Sequence, residues 1–317
     1  MRSRTEGGAS ALTGILLIVL SMSIVPMMDG LAKLLSARYP ILEIVWARYF
    51  FHLLYLLPIV LVRYGPKALL PRHPSLQIVR GGLLLASTIL FFAAIAQMPI
   101  ADALALVFIS PLIVTALSPV LLGEKVGPRR WGAVVVGFLG ALIIIRPGFV
   151  SIDTGALLAL GAGVIYAFYV IATRKLSGTA PPLVTLTYTA LLGAIVMSVA
   201  VPFQWITPNP FDLLLMAAMG GCAAVGHFLL IKAFEHAPAS VLAPFGYSEI
   251  IMATVIGYFI FADFPDTWTW SGIAVIISSG VYVSVRERSL SKPTVTVLAQ
   301  GPFPEISDEN VPDHVDR

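Results

Sequence analysis

The sequence predicts an all-α integral membrane protein, with ten transmembrane helices arranged as two inverted five-helix repeats. Three observations predict it. First, 58% of the 317 residues are hydrophobic and only 12% are charged, against about 25% charged in a soluble domain. That leaves too little polar surface to cover a water-soluble globule, so lipid must be the solvent for most of the chain. Second, the chain reads as one half written twice. Gln97-Met98-Pro99-Ile100-Ala101 returns as His236-Ala237-Pro238-Ala239-Ser240, and Gly81-Gly82 returns as Gly220-Gly221. Glu124 returns as Asp263 and Trp131 as Trp270, all 139 positions on, while Gly14 matches Gly155 and Lys33 matches Arg174 at a spacing of 141. Third, the basic residues move to the opposite loops in the second copy. Duplication of this kind in an apolar chain points to halves related by a pseudo-two-fold axis.

A helix needs about 20 residues to cross the hydrocarbon layer. Spans are expected at 11–35, 41–63, 75–97, 101–121 and 128–146, then at 154–175, 182–203, 211–236, 239–261 and 267–286. The first repeat thus occupies 11–146 and the second 154–286, with residues 1–10 a cytoplasmic N-terminus. Arg2 and Arg4 precede the first apolar run as in a signal peptide. The run extends through Leu35 without a small-x-small cleavage site, so a retained helix is expected. The polar stretch 289–317 lacks apolar periodicity and is expected to be a disordered cytoplasmic tail.

Lysine and arginine set the orientation. With the N-terminus inside, most of the 20 basic residues fall on the inner side, Arg63, Lys67, Arg80, Arg129, Arg130 and Arg174 among them. Only Lys33, Arg38 and Arg146 fall outside, so both termini are expected in the cytoplasm. Five spans per half is odd, so the second copy must insert upside down. The loops agree: Lys125, Arg129 and Arg130 follow span four, whereas Asp263 and Asp266 follow span nine. Tyr39, Tyr64, Trp131, Trp205, Trp268 and Trp270 are expected at the interfaces, where amphipathic rings sit.

Three features recur in each repeat. One is the short turn Met98-Pro99-Ile100-Ala101 and its partner Ala237-Pro238-Ala239-Ser240. The second is the mid-helix Ser110-Pro111-Leu112 and Ser248-Glu249-Ile250. The third is an acidic loop before a glycine-rich span, Gly123-Glu124-Lys125 to Gly140 and Asp263 to Gly280. In these features the chain resembles the EamA-type members of the drug/metabolite transporter superfamily, over roughly residues 12–286. The second copy departs from the family pattern, because Asp263-Phe264-Pro265 stands where a Gly-Glu-type loop is common. The resemblance implies a ten-helix bundle with a central cavity and alternating access between its halves. It also implies a secondary transporter of a small polar metabolite: an amino acid or derivative, a nucleotide-like metabolite or a vitamin. Residence in the cytoplasmic (inner) membrane follows. Phrases around Asp29, Arg48 and Glu249 are similar to those in S-adenosylmethionine, riboflavin and amino-acid transporters of the group, and choose no substrate among them.

Ionisable groups at membrane depth normally face a cavity or a partner. Asp29 and Arg48 lie at similar depth, about 10 Å from the outer face, so they can pair. Asp29 has a second candidate partner in Lys33, four residues on. The alternative for Arg48 is a cavity position, where its fork binds a substrate carboxylate or phosphate. His52 follows Arg48 by four and shares its helical face. His227 and Glu249 fall near the midplane, where repeat-built transporters hold substrate. His227 reads equally as a hydrogen-bonded core group. Glu249 is expected to bind a cationic amine or to take up a coupling proton. Tyr166, Tyr188 and Tyr247 are candidates to line the cavity, against the plainer reading of packing with one satisfied hydroxyl. Lys232, Glu235 and His236 read as a solvated or salt-bridged helix end. Asp102 and Glu124 read as interfacial or capping groups.

Pro26, Pro58, Pro111 and Pro244 fall inside spans, and each removes a backbone hydrogen bond. Such breaks persist where neighbours or a water-filled cavity satisfy the freed carbonyl. Pro111 and Pro244, in corresponding spans, are candidate hinges, with tolerated kinks as the alternative. Cys222 is the only cysteine, so neither an intrachain disulfide nor a cysteine cluster can form. No cofactor or metal site is expected. The sequence has no His-Glu-x-x-His, Gly-x-Ser-x-Gly or P-loop motif, which argues against a membrane-embedded enzyme. A channel or structural membrane protein is the remaining rival. A small-molecule substrate and membrane lipid are the expected partners, nucleic acid is not, and a homodimer is left open.

Overall fold

A computed structural model describes residues 2–70, 73–123, 126–145, 153–176, 179–237 and 239–290. Twelve α-helices follow one another: α1 (Arg2–Ser36), α2 (Ile41–Tyr64), α3 (Pro74–Ile95), α4 (Ile100–Val107), α5 (Ser110–Leu121) and α6 (Pro128–Ile145). The second half gives α7 (Thr154–Lys175), α8 (Pro182–Ala200), α9 (Pro210–His236), α10 (Ala239–Gly246), α11 (Ser248–Phe261) and α12 (Thr267–Leu290). The described residues contain no strand. Seven spans are long and apolar enough to cross a membrane. They are α1, α2, α3, the α4–α5 pair, α7, α8 extended through Gln204, and α9. The shorter α6 and the α10–α11 pair, with α12, complete ten passages. Two boundaries differ from expectation. The segment 1–10 is not separate, because α1 is helical from Arg2, and α12 continues to Leu290, absorbing the start of the expected tail. Residues 291–317, Glu124, Arg146 and Pro238 lie outside the described set.

Helix starts follow local chemistry. Proline, whose missing N–H is harmless in the first turn, opens α3, α8 and α9. Asp153 accepts from the Gly155 N–H at the start of α7, and Asn209 accepts from the Asp212 N–H at the start of α9, each satisfying an orphan donor. Leu16, Leu20, Val62, Val199, Phe203 and Phe259 are exposed, an apolar surface that only lipid or a partner can cover.

The packing obeys the repeat. α1 lies against α9 as α7 lies against α3, and α2 lies against α9 as α8 lies against α3. α2 packs on its own repeat mate α8, and α6 on its mate α12, so these pairs straddle the pseudo-axis. Paired glycines allow the close approaches. A Cβ at Gly81 would strike Leu192 of α8, and one at Gly220 would strike Phe51 and the His52 backbone of α2. Their neighbours Gly82 and Gly221 have room. α6 and α12 cross where Gly140 and Gly272 face each other's backbone carbonyls.

The ends of the bundle show the inversion. Lys33, near the C-terminus of α1, reaches the Met98 carbonyl at the α3–α4 turn. The start of α7 meets the same turn, with Gly155 against Gln97 and Met98. Repeat mates α1 and α7 therefore run in opposite senses. At this Lys33 end, Lys33 pairs with Asp263 at 2.7 Å and Arg38 pairs with Asp212 at 2.9 Å. Two of the three basic residues that depart from the charge bias, Lys33 and Arg38, are thus each matched by a carboxylate. Tyr39, expected as an interfacial ring, is buried with its hydroxyl donating to Asp212 at 2.9 Å. Trp131, Trp205, Trp268 and Trp270 are exposed.

Both acidic-loop turns use the same backbone. Gly123 has φ +70° and its counterpart Ala262 has φ +56°, so both turns place a left-handed residue at the corresponding position although the loop sequences differ. A left-handed alanine costs about 1–2 kcal/mol. Ala262→Gly should therefore stabilise the protein by roughly 0.5–1 kcal/mol, after the extra freedom glycine gives the unfolded chain. The check is a rise of the apparent melting temperature in detergent. Gly220→Ala should lower it through an overpacking penalty of about 1–3 kcal/mol, whereas Gly82→Ala should leave it unchanged or higher.

Candidate functional site

Spans four and nine are each broken, and each restarts at the aligned serine, Ser110 in α5 and Ser248 in α11. Pro111 explains the first break, since it lacks the N–H that would bond the Val107 carbonyl. Gly163 of α7 lets Val107 approach, a Cβ there lying 3.1 Å from the Val107 Cα. In this alignment the seat of Pro111 is taken by Glu249 in the second copy. Pro244 lies inside α10, two residues before that helix ends at Gly246.

A cavity of about 230 Å³ opens beside these breaks, enclosed by α1–α5, α7, α9 and α11. Pockets for drug-sized ligands are typically ~300–1,000 Å³, so this state suits a compact ligand and a larger one needs the walls to part. Of the residues singled out in the sequence, Asp29, Arg48, Pro111, Tyr166, His227 and Glu249 lie on its wall. Related positions of the two copies lie on the same wall: Val25 and Tyr166, Thr88 and His227, and Pro111 and Glu249 of the recurring serine motif. Both copies therefore contribute to the cavity.

Neither of the two candidate pairings of Asp29 is present among the described residues. Asp29 does not pair with Lys33, whose ammonium is held by Asp263 and the Met98 carbonyl one turn nearer the end of α1. Nor does Asp29 form an ion pair with Arg48. The Arg48 fork is turned toward the Met28 sulfur and the Thr88 hydroxyl, both at 3.3 Å, and its carbon stands 4.6 Å from the Tyr49 ring centre. Asp29 is 2% exposed and its Oδ1 has no hydrogen-bond partner. A buried carboxylate oxygen without a partner is costly, which makes it a place where a ligand donor gains most. Glu249, in the first turn of α11, opens onto the same cavity. Two carboxyl groups and one guanidinium, none in an ion pair with another, thus share one apolar enclosure with Phe91 and Phe108.

His227 hydrogen-bonds the Ala223 carbonyl through Nδ1 at 2.7 Å, so Nδ1 carries the proton and Nε2 is the acceptor. His52 is not on the wall. It stands behind His227, ring centres 5.6 Å apart, with its buried Nε2 unpartnered. Tyr247 is also off the wall, at the break between α10 and α11. Its ring centre is 5.1 Å from that of Phe108 and its hydroxyl fills the space a side chain at Gly280 would need. Tyr188 bonds the Ala68 carbonyl far from the cavity. Lys232 and Glu235 form a 2.7 Å pair at one helix end, and Asp102 lies in the first turn of α4, where its charge suits the helix dipole.

Sequence reasoning missed Arg80. The charge count put it with the inner-side basic residues, but it lies six residues inside α3 and is 4% exposed. Its spacing was the available signal: residues 80, 84, 87 and 91 share one helical face, and the last three line the cavity.

The EamA-like transporter family matches residues 12–146 and again 153–285. The chain is 30% identical over 277 residues to an S-adenosylmethionine uptake transporter of Rickettsia prowazekii, covering 87% of this chain and 94% of that protein. It is 29% identical to a riboflavin transporter of Rhizobium johnstonii, covering 89% and 95%. It is 30% identical to the pseudopaline exporter of Pseudomonas aeruginosa, covering 87% and 97%. A solved crystal structure superposes with a TM-score of 0.62 at 19% identity, over 90% of this chain and 99% of that one, a likeness of fold. With both halves matched and both repeats packed around one cavity, the chain belongs to the EamA-like transporter family.

Proposed function

We propose that the protein is an alternating-access carrier of a small zwitterionic metabolite, one bearing both a cationic and an anionic group. The carrying observation is the set of charges held on the cavity wall outside any ion pair: Asp29 and Glu249 in no salt bridge, and Arg48 turned to Met28 and Thr88. A ligand ammonium or sulfonium answers the carboxylates and a ligand carboxylate answers Arg48, while Phe91, Phe108 and Tyr166 offer ring surface. The three relatives are named for S-adenosylmethionine, riboflavin and pseudopaline, and the first of these fits that charge pattern directly.

In an empty cavity the two carboxyl groups repel each other, and protonation of one relieves the repulsion. Proton exchange against a cationic substrate is therefore the coupling we infer. The end of the bundle at which α3 begins is assigned to the cytoplasm, because Arg63, Lys67, Arg174 and Lys175 gather at the helix ends on that side. Both termini are then cytoplasmic, and the protein resides in the inner membrane.

Reconstituted flux tests this. Proteoliposomes should show saturable S-adenosylmethionine uptake with counterflow, which a channel cannot give. A charge-assisted contact is worth about 1.5–3 kcal/mol, roughly 10–100-fold in affinity. Asp29→Asn and Arg48→Gln should each raise KM by that order. Glu249→Gln should also abolish the response of uptake to an imposed pH gradient. Normal transport with an unchanged pH profile in Glu249→Gln would remove its role. Wild-type flux without saturation for S-adenosylmethionine, riboflavin and amino-acid derivatives alike would sink the carrier reading.

A further inference from the structure

Arg80 is a buried guanidinium whose partners are all neutral. Its Nε donates to the Thr173 hydroxyl at 2.8 Å, and Nη1 donates to the Thr185 carbonyl at 3.1 Å and the Thr189 hydroxyl at 2.7 Å. Nη2 donates to the Tyr169 hydroxyl at 3.0 Å, and the cation stands 5.0 Å from that ring's centre. The guanidinium makes no ion pair among the described residues. An arginine about 9 Å from a helix start could snorkel to water, yet this one points inward between α7 and α8.

Two stripes lead from the cavity to it. On α3, Leu84, Ser87 and Phe91 line the cavity and Arg80 continues their face by one turn. On α7, Tyr166 lines the cavity, and Tyr169 and Thr173 follow at spacings of three and seven, which is again one face. The Tyr166 and Tyr169 rings are 5.4 Å apart. Arg48 is tied to Thr88 and Arg80 sits eight residues earlier on α3, so the two cations flank the cavity about 12 Å apart along the helix. The duplication does not explain Arg80, whose repeat mate is Met219.

We propose that Arg80 is a second binding residue on the transport path, which takes the carboxylate or phosphate of the substrate between the central cavity and the end at which α3 begins. The inference rests on the carrier reading. In the present state the guanidinium holds α3 to α7 and α8 at that end. Two of its three hydroxyl partners keep a hydrogen bond without it, because Thr173 also donates to the Tyr169 carbonyl at 2.8 Å and Thr189 to the Thr185 carbonyl at 3.2 Å. An anion adds an opposite charge and a bidentate match to the fork that these neutral acceptors lack. It therefore draws the fork away from the clamp as it passes, so opening of this end and relay of the anion are one event.

The single native cysteine makes a substrate-independent test practical. In a Cys222→Ser background, Thr173→Cys is reacted in proteoliposomes with an anionic sulfonatoethyl and a cationic trimethylammonioethyl methanethiosulfonate. Thr189→Cys serves as the second reporter, and monodisperse elution establishes folding of each variant. The anionic-to-cationic rate ratio should fall roughly tenfold on Arg80→Gln, an order set by one unit charge at short range, and should be retained in Arg80→Lys. An unchanged ratio at both reporters, or no reaction of either cysteine with either reagent, would leave Arg80 a structural clamp and overturn the proposal. Failure of the carrier reading looks different, because wild-type counterflow is then lost whatever the labelling ratio.

Discussion

A bilayer core offers no hydrogen-bond partners, so every interrupted helix and every charge within it must be answered from inside the protein. That constraint gathers the unusual features of this chain into one place. The breaks at Ser110 and Ser248 open onto the cavity that holds Asp29, Arg48 and Glu249. Irregular backbone and ionisable side chains tolerate the same surroundings, a polar enclosure shielded from lipid. Several other charges near the helix ends are paired locally: Lys33 with Asp263, Arg38 with Asp212, Lys232 with Glu235. The three charged groups on the cavity wall have no such ion pair among the described residues.

The scaffold around the site comes from the duplication, and glycine makes the two copies fit. The first member of each glycine pair, Gly81 and Gly220, is pressed against the other half, and the second member is not. Association of helices in lipid relies on such close approach, because no hydrophobic effect drives it. α2 packs on α8 and α6 on α12 across the axis, so a shift of one half against the other must slide along these seams. The Lys33–Asp263 pair ties α1 to the α11–α12 turn at one end, and Arg80 ties α3 to α7 and α8 at the other. Each end of the cavity thus has a polar tie that can be released without breaking an apolar seam.

Much of this was legible in the sequence, for a physical reason. Lipid demands long apolar runs, so spans declare themselves by composition, and a deep charge such as Asp29, Arg48 or Glu249 stands out against its run. Pro111 announces a break because it lacks an N–H. What stayed hidden depends on distance or direction. The partner of Lys33 lies 230 residues away, and local spacing favoured Asp29, one turn off. Arg80 looked like another inner-side basic residue because charge counting ignores where a side chain points. His52 shares a helical face with Arg48, yet the packing of α2 against α9 places it behind His227 rather than beside the cavity. Tyr247 was visible as a deep aromatic, but its proximity to Gly280 is set by folding.

The duplicated frame is close to symmetric while its chemistry is not. On the cavity wall Val25 corresponds to Tyr166, Thr88 to His227 and Pro111 to Glu249. In each pair the second copy contributes the more polar or titratable side chain. The guanidinium groups belong to the first copy, since the mate of Arg48 is Thr189 and that of Arg80 is Met219. Acceptors from the second half therefore confront donors from the first, with Asp29 the exception. On the proposed reading, a ligand with charges of both signs would be oriented by that division, its cation toward α1 and α11 and its anion toward α2 and α3. A symmetric ligand gains nothing from it. Duplication supplies two equivalent positions for every wall of the cavity, and divergence at those positions gives the substrate a direction in which to lie.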